Sequence, residues 1–588
     1  MTRALAYRQL FRTAQMQLLP VLLLALLPQA AGEVVVACPD DVARCVRVGL
    51  TVPETGWAST QGLSAKRGAE LWADAVNSDG GLTVADGSMF VELTVYDDGS
   101  SSSNTAVLYE QLISTDGVDF LLGPYGTSFS ARAAAVAAEH EKVLFLGNAA
   151  GDSAYEPQAR AAVTCVGVAT GTDGVDCPDA CTFVAAIDQA DATCSGTAAE
   201  AGSSGSTDCT TFTADQTDCG DASGCTLTAA VDQADAHCGA DVAGMEPPAW
   251  PHVFGVVTTS EAYTSPTAQM LHSLGAQTAA VLSRSDNGFT RDTAAGARAA
   301  FAVTDAAGTG ATLDVAASAT FAGDSEDTST GTTGEAWQAS IDSGMATACA
   351  AGADTLWLFG LKGDANALLQ AMAALREECQ PKAVYINSGP TESGWVAAAN
   401  ELEDTHGRSN LADLYHLLSA AQWVEPATGV SGPADALFGS TGGFRFRMES
   451  FYDDVEVGDD IHHHAASAAA AGIVLGEAIR VASQAAGATL DADGLPTQEA
   501  VGTAASNLDL STFYGEIRFD DKGRNVAKGT VTTQIQSGSI VPVAPAEHAV
   551  SLLALLLLLP PPQLLLPPLP PLLHFGNDSH GTCCDPLL

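Results

Sequence analysis

Residues 46–82 read VRVGLTVPETGWASTQGLSAKRGAELWADAVNSDGGL, and residues 91–151 read VELTVYDDGSSSSNTAVLYEQLISTDGVDFLLGPYGTSFSARAAAVAAEHEKVLFLGNAAG. Short apolar runs alternate here with segments whose apolar residues recur at helical spacing. Strands that alternate with helices in this way form an open parallel α/β sheet through right-handed βαβ units. The pattern predicts strands at 46–51, 91–96, 120–122 and 143–146, and helices at 65–76, 104–114 and 131–139.

Loops rich in glycine, serine, threonine and alanine follow three of these strands, at 53–62, 124–130 and 147–152. In open parallel sheets, ligands bind outside the carboxyl ends of the strands. Such loops present backbone N–H groups and hydroxyls at helix N-termini, which suits an anion such as a carboxylate. The alternative is that the three loops are ordinary turns between strand and helix.

The same alternation resumes after residue 250. Residues 323–335 are interpreted as a surface loop, and residues 512–543 as an antiparallel appendage of short strands. A chain of 588 residues with two such regions is predicted to form more than one domain. The predicted strands of this part lie at 253–257, 279–283, 355–359 and 383–387, and the helices at 263–274, 292–302, 366–376 and 462–483.

The chain has 24 Lys and Arg against 70 Asp and Glu, a formal net charge of −46. This charge argues against nucleic-acid binding, which needs a basic face. The sequence has no G-x-S-x-G, H-E-x-x-H or P-loop motif, so it predicts a protein that is not an enzyme and uses no cofactor. The histidines at 462–464 do not indicate a metal site, because neighbouring residues of a helix point about 100° apart.

Residues 1–32 have the composition of a secretory signal peptide. Basic residues precede the apolar run LLPVLLLALL at 18–27, and small residues follow it. The run is short for a membrane span, and an uncleaved signal anchor is the alternative. Export predicts a secreted or extracellular protein in an oxidising compartment. Residues 546–588 form a Leu/Pro low-complexity tail, for which a membrane anchor is the alternative interpretation.

Export also decides how the cysteines are interpreted. Cys38 and Cys45 are predicted to close a small loop by a disulfide, with free thiols as the alternative. Residues 165–245 form a Cys-rich insertion in which DACTFVAAIDQADATC, at 179–194, reappears as SGCTLTAAVDQADAHC at 223–238. With few large apolar residues, the insertion is predicted to be a disulfide module, with pairing within each repeat as the simplest arrangement and zinc as the alternative. Its candidate cysteines are Cys181, Cys194, Cys209, Cys219, Cys225 and Cys238.

Four segments, at 46–56, 68–82, 95–124 and 513–526 (FYGEIRFDDKGRNV), match one known family in their order and spacing. The chain resembles the type 1 periplasmic binding proteins, in particular the leucine/isoleucine/valine-binding subgroup. Relatives of this family include the ligand-binding ectodomains of class C G-protein-coupled receptors and of natriuretic-peptide-type receptors. The resemblance implies two Rossmann-like lobes with parallel sheets, three chain crossings between them, and a ligand cleft. The implied limits are 46–257 and 396–485 for the first lobe, which includes the insertion, and 258–395 and 486–545 for the second lobe.

The resemblance also implies which residues of the first lobe hold a ligand. The hydroxyl that contacts a ligand carboxylate falls at Thr127, beside Ser128. The first loop contributes Trp57 and Ser59, because Gln61 stands where the family has an aromatic residue. The backbone contacts after the fourth strand fall at Ala149, Ala150 and Gly151.

In the second lobe, the family's first aromatic position falls at Phe289. The next aromatic position falls at Leu361 or Lys362, which departs from the family pattern. The acidic residue that pairs with a ligand ammonium falls at Thr391 or Glu392, and of these Glu392 has the carboxylate that such a pair needs.

Two functions follow from the resemblance. The first is an extracellular solute-binding protein that captures a small polar ligand, an amino acid or a related compound, by closure of two lobes. Its expected partners are that ligand and a membrane transporter or receptor. The alternative is the ligand-binding ectodomain of a membrane signalling receptor whose membrane part is missing. A hydrophobic helix of about 20 residues beyond residue 545 would favour the receptor.

Overall fold

The structure is a computed structural model that describes residues 32–156 and 250–545. Between residues 181 and 240 it describes the backbone of five short strands. Residues 1–31 and 546–588, which include the predicted signal peptide and tail, lie outside the described residues. Within the two main ranges, the residues left out are 41, 43, 86, 251, 303–312, 324–333, 376–377, 392–393, 404–406, 408, 425–432, 453–462 and 493.

The first half of the chain alternates strands and helices up to residue 156, as its sequence predicts. Its helices are α1 (Ser59–Ser78), α2 (Ser102–Ser114) and α3 (Thr127–Glu139), and a 3₁₀ turn spans Asp152–Ala154. Its strands are β1 (Glu33–Val36), β2 (Val46–Val52), β3 (Leu82–Val84), β4 (Gly87–Met89), β5 (Val91–Asp97), β6 (Phe120–Leu122), β7 (Leu144–Leu146), β8 (Cys181–Val184), β9 (Cys194–Ala199), β10 (Ser206–Asp208), β11 (Cys225–Leu227), β12 (His237–Ala240) and β13 (Val253–Thr258).

The second half begins a new series of strands and helices after β13. Its strands are β14 (Thr278–Arg284), β15 (Asp314–Phe321), β16 (Thr355–Phe359), β17 (Ala383–Ile386), β18 (Leu418–Ala421), β19 (Ala434–Asp435), β20 (Gly439–Ser440), β21 (Asp509–Thr512), β22 (Gly515–Arg518), β23 (Arg524–Asn525), β24 (Val531–Gln536) and β25 (Ser539–Ala544). Its helices are α4 (Ser260–Tyr263), α5 (Ser265–Ser273), α6 (Gly288–Phe301), α7 (Gly334–Ala350), α8 (Lys362–Ala374), α9 (Trp395–Glu401), α10 (Leu411–Leu414), α11 (Thr441–Phe451), α12 (His463–Gln484) and α13 (Gln498–Ser506).

Two seven-stranded sheets organise these elements into two lobes. The first sheet has the order β1-β5-β2-β6-β7-β13-β23, and the second has the order β15-β14-β16-β17-β18-β24-β25. Each sheet carries apolar cores on both faces. In β6, for example, Phe120 and Leu122 enter one core of the first lobe and Leu121 enters the other. This explains the continuous apolar runs of the strands, and the expected α/β architecture of two Rossmann-like lobes is confirmed.

The lobe limits differ from those that the resemblance implies. Residues 396–485 were expected in the first lobe, but β18 pairs with β17 and β24 inside the second sheet. Residues 486–545 were expected in the second lobe, but Val501 of α13 packs in the first lobe's core and β23 pairs with β13. The second sheet needs β18 as its fifth parallel strand, so the chain returns to the first lobe only after that strand.

The interpretation of residues 512–543 as an antiparallel appendage is wrong. Only β21 and β22 form a separate hairpin, whereas β23 extends the first sheet and β24 and β25 extend the second. The strands are too short for their alternation to show which sheet they join. The chain crosses between the lobes after β13, between β18 and β19, and between β23 and β24.

Helix α12 is the central helix of the first lobe and lies against α1. An added Cβ on Gly68 would lie 2.0 Å from the backbone oxygen of Ala465, and one on Gly472 would lie 2.1 Å from the Trp72 ring. Among the described helices, α12 is the one with the length and composition of a membrane span, with a mean hydropathy of 1.4. However, 78% of that apolar window is buried within the protein.

Two disulfides are present among the described residues. The predicted bond between Cys38 and Cys45 has an S–S distance of 2.04 Å. The second bond joins Cys349 at the end of α7 to Cys379 before β17, and sequence analysis missed it. In the insertion, β8 pairs with β12, and β9 pairs with β10 and β11. The side chains of its cysteines lie outside the described residues, so their pairing stays a prediction.

Candidate ligand-binding site

A cleft of about 800 Å³ lies between the two lobes. The parallel strands of the first sheet run β5-β2-β6-β7-β13, and those of the second run β15-β14-β16-β17-β18. In each sheet the second of these strands along the chain lies on one side of the first strand, and the later strands lie on the other side. Open α/β sheets bind ligands at the point where the strand order reverses in this way. The loops after β2 and β6 form one wall of the cleft, and those after β14 and β16 form the other.

The N-terminus of α3 faces the cleft from the first lobe. Gly126, with a φ of 82°, precedes the helix, and no side chain caps it. Thr127 is buried, and its Oγ1 accepts a hydrogen bond from the Gly151 N–H at 3.1 Å. Ser128 is exposed and lines the cleft. First-turn N–H groups have no partner inside a helix and carry the positive end of its dipole, so this end of α3 suits a carboxylate.

Aromatic side chains line both walls. Trp57 is 45% exposed, which is unusual for a tryptophan, and its ring centroid lies 6.1 Å from that of Phe129. On the second lobe, Phe289 packs edge-on against Tyr263 at 5.7 Å. These four rings give the cleft apolar area next to the polar end of α3, as is common in sites for small molecules.

A charged cluster lies in the second wall. Arg284 donates to Asp286 through Nε at 2.8 Å and to Asp364 through Nη1 at 3.2 Å. Asp364 is 3% exposed and also accepts hydrogen bonds from the Trp337 Nε1–H at 3.1 Å and the Leu361 N–H at 2.8 Å. Two carboxylates therefore share one guanidinium, and the side chain of Lys362 lines the same wall.

The start of α12 also reaches the cleft. His463 and His464 line it, and His464 Nδ1 lies 2.9 Å from Asn148 Oδ1. The imidazole of His464 meets the Tyr125 ring edge-on at 5.0 Å. His462, the first histidine of the run, lies outside the described residues. No group of three or more metal-binding side chains occurs in the part of the chain that the structure describes.

Polar contacts connect the crossings between the lobes. The Thr258 N–H donates to Gln422 Oε1, and Gln422 Nε2 donates back to the Thr258 carbonyl, both at 3.0 Å. Thr258 Oγ1 donates to the Lys528 carbonyl at 2.9 Å. One residue from each of the three crossings is therefore held in a single hydrogen-bonded group, which fixes the crossings relative to one another.

A second contact between the lobes lies beside the cleft. Asp292 of α6 approaches the turn after β7, where an added Cβ on Gly151 would lie 2.7 Å from its Oδ2. The backbone N–H groups of Asp152 and Ser153 lie near this carboxylate and act to lower its pKa, but Asp292 Oδ2 is buried without a hydrogen-bond partner among the described residues. Burial raises the pKa of Asp292 from 3.8 to about 6, and the nearby Asp152 carboxylate adds to the increase.

The structure places most of the predicted site residues at the cleft. Ser59 lies in the first turn of α1 and does not line it. Ala149 is fully buried, and its carbonyl accepts a hydrogen bond from Tyr155. Gly151 does not line the cleft, but its N–H donates a hydrogen bond to Thr127 Oγ1. Glu392 lies outside the described residues. The predicted residues that line the cleft are Trp57, Thr127, Ser128, Ala150, Phe289, Leu361 and Thr391.

Sequence reasoning missed the charged and amide side chains of the cleft. Arg284 and Asp364 meet across 80 residues of sequence, and neither follows a small-residue loop of the kind used to locate the site. The one feature of the sequence that could have indicated these two residues is their position after predicted strands. Arg284 ends β14, and Asp364 lies in the first turn of α8, shortly after β16. Other cleft residues that were missed include Tyr125, Phe129, Asn148, Tyr263, Asp286, Trp337, Asn387 and Gln422.

A model of the periplasmic binding protein family matches residues 45–248. Solved structures share the fold across most of the chain. The branched-chain amino acid transporter substrate-binding protein LivJ of Streptococcus pneumoniae, solved with isoleucine, is 13% identical with a TM-score of 0.50, and the match covers 84% of this chain and 98% of that one. The leucine-binding protein LivK of Thermotoga maritima is 13% identical with a TM-score of 0.51, over 85% and 98% of the two chains.

A third structure extends the range of ligands among these relatives. It is an ABC-transporter solute-binding protein of R. palustris in complex with benzoate. It is 14% identical with a TM-score of 0.50, over 85% of this chain and 96% of that one. At these identities the likeness establishes the fold. The chain therefore has the type 1 periplasmic-binding-protein fold, and its resemblance to that family is confirmed.

Proposed function

We propose that the protein is an extracellular solute-binding protein that captures a small polar ligand, an amino acid or a related compound, by closure of its two lobes. The observation that carries the proposal is the N-terminus of α3, where Thr127 and Ser128 face the cleft. The solved relatives with isoleucine and benzoate support it, because both ligands carry a carboxylate. A membrane transporter is the partner that fits the solute-binding relatives.

The function is tested by a thermal-shift screen of the protein against amino acids, their amides and small carboxylates. A ligand that binds the folded state raises the Tm by mass action, by an amount that grows with its concentration over Kd. An amino acid that raises the Tm and is recovered unchanged supports a binding protein. Chemical turnover of the ligand, or no shift with any carboxylate, would contradict the proposal.

Thr127→Ala is expected to weaken ligand binding about tenfold, the effect of losing one hydrogen bond of about 1.4 kcal/mol. The change removes the Thr127 hydroxyl and also releases the Gly151 N–H that it holds. Thr127→Ser is the matched control, because it keeps the oxygen, and it should bind within about threefold of wild type. Calorimetry on both variants measures the difference, and equal affinities would remove Thr127 from the site.

Ligand affinity is expected to rise about tenfold between pH 7 and pH 5 because of Asp292. We assign the arrangement in this structure, in which Asp292 lies against the turn after β7, to the closed form. Its pKa here is about 6, above the ordinary value of 3.8 that we expect when the lobes separate. A raised pKa means that the closed form binds the proton more tightly than the open form does. Closure therefore becomes more favourable as the pH falls through 6, and ligand affinity rises with it. An amino-acid ligand keeps its charges across this range.

Asp292→Asn is the control, because the amide cannot titrate. His463 and His464 line the same cleft, so the difference between the two proteins isolates Asp292. Calorimetric titrations at pH 5, 6 and 7 should show a smaller pH dependence in Asp292→Asn than in wild type. Identical pH profiles for the two proteins would show that Asp292 does not couple closure to protonation.

A further inference from the structure

Asn387 is a buried amide at the end of β17, and it lines the cleft while only 1% exposed. Its backbone N–H donates to the Leu358 carbonyl at 3.1 Å, and its Oδ1 accepts the Gly360 N–H at 2.9 Å. These two bonds attach Asn387 to β16 and to the loop that follows it. Its Nδ2 is buried and has no hydrogen-bond partner among the described protein groups.

The orientation of this amide follows from its partner. A flipped amide would place the Nδ2 donor against the Gly360 N–H donor and lose the only bond that the side chain makes in the described structure. The Nδ2 group therefore has to face away from Gly360. A buried donor without an acceptor costs free energy, so this position is set up to receive an acceptor atom from a bound ligand.

The surroundings decide which acceptor fits. An added Cβ on Gly360 would lie 3.2 Å from Asp364 Oδ2, so Asp364 and Asn387 lie against the same glycine. Asp364 and Asp286 both accept hydrogen bonds from Arg284, and Lys362 lines the same cleft. The Asp364 carboxylate is the charged group that shares Gly360 with Asn387, so a second carboxylate brought to Asn387 would approach a like charge, whereas a neutral carbonyl oxygen would not.

We infer that the ligand is an amino acid whose side chain ends in a neutral carbonyl oxygen, which accepts a hydrogen bond from Asn387 Nδ2. This inference rests on the proposed function, in which α3 receives the carboxylate at the other wall. The carboxamide of glutamine has the required oxygen. The side chain of leucine has none, and would leave the donor unpaired when the cleft closes.

Calorimetry with glutamine, glutamate and leucine tests the inference on wild type and on Asn387→Asp. The aspartate has the same shape and keeps an oxygen for the Gly360 N–H, but it replaces the donor with an acceptor. We expect wild type to bind glutamine at least about tenfold more tightly than leucine or glutamate. Asn387→Asp should weaken glutamine binding about 10- to 100-fold and change leucine binding far less.

Asn387→Ala provides a second variant if the buried aspartate lowers the Tm, and it should also lose the preference for glutamine. Wild type that binds leucine as tightly as glutamine would overturn the inference and leave the proposed function standing. Glutamine affinity unchanged in both variants would do the same. If none of the three amino acids binds, the inference is overturned, and the thermal-shift screen against the other amino acids and carboxylates decides whether the proposed function stands.

Discussion

Ser128→Asp is expected to weaken the binding of a carboxylate ligand at least about 100-fold. The new carboxylate would occupy the exposed second position of α3, at the wall where the ligand's own carboxylate is proposed to lie. Two like charges about 4 Å apart repel by several kcal/mol in a partly screened site. The helix itself should tolerate the change, since α3 has no acidic residue in its first turn and an aspartate there favours the dipole.

Measuring the Tm of the unliganded variant distinguishes loss of the binding site from loss of the fold. We expect the Tm of the unliganded Ser128→Asp variant to stay within a few degrees of wild type. Ser128→Asn adds similar volume without charge, and it should keep affinity within about threefold. A Ser128→Asp protein that binds a carboxylate as wild type does would place the ligand elsewhere in the cleft.

Gly68→Val is expected to lower the free energy of unfolding by at least about 3 kcal/mol, at the upper end of the cost of overpacking a core. The first added carbon alone would lie 2.0 Å from the Ala465 backbone oxygen. A backbone atom cannot rotate away as a side chain can. The change can therefore be accommodated only by separating α1 from α12, which opens the core around Trp72.

Gly334→Val is the matched control for this prediction. Gly334 is the first residue of α7, and an added Cβ there would meet no heavy atom of the described residues within 4 Å. Denaturant unfolding of both variants should give a change within about 0.5 kcal/mol for Gly334→Val. A similar small change for Gly68→Val would show that the two helices do not pack as closely as their backbones indicate.

The first lobe was predictable from sequence because its strands are buried on both faces. β6 is a continuous apolar run, β2 is interrupted only by Arg47, Gly49 and Thr51, and both strands lie where the sequence pattern predicts them. By contrast, β15 is largely exposed or half-buried along DVAASATF, so no apolar run indicates it. The two residues of β23 are too few to show any period, and only pairing with β13 makes them a strand.

The same contrast holds for the cleft. The loop at 124–130 was predicted to lie at the cleft because it follows a buried strand and consists of small residues, and the family resemblance then implied Thr127 and Ser128 within it. The starts of α1 and α3 were placed several residues too late, since their first turns are polar and carry no apolar period. Asn387 was assigned to a strand, and its position in the cleft depends on Gly360, which lies 27 residues away. Such pairs are brought together by the sheet, and a single sequence does not show them.

The late position of the closing strands has a consequence for how the chain is made. β24 joins β18 although roughly 100 residues of chain separate them, and at 5–20 residues per second that interval lasts about 5 to 20 s. β13 remains an unpaired edge of the first sheet for longer still, until β23 has been synthesised. A ribosome-bound chain therefore presents two unfinished sheets, each with a strand edge able to pair with another chain. Neither lobe can complete its fold before translation has passed residue 525.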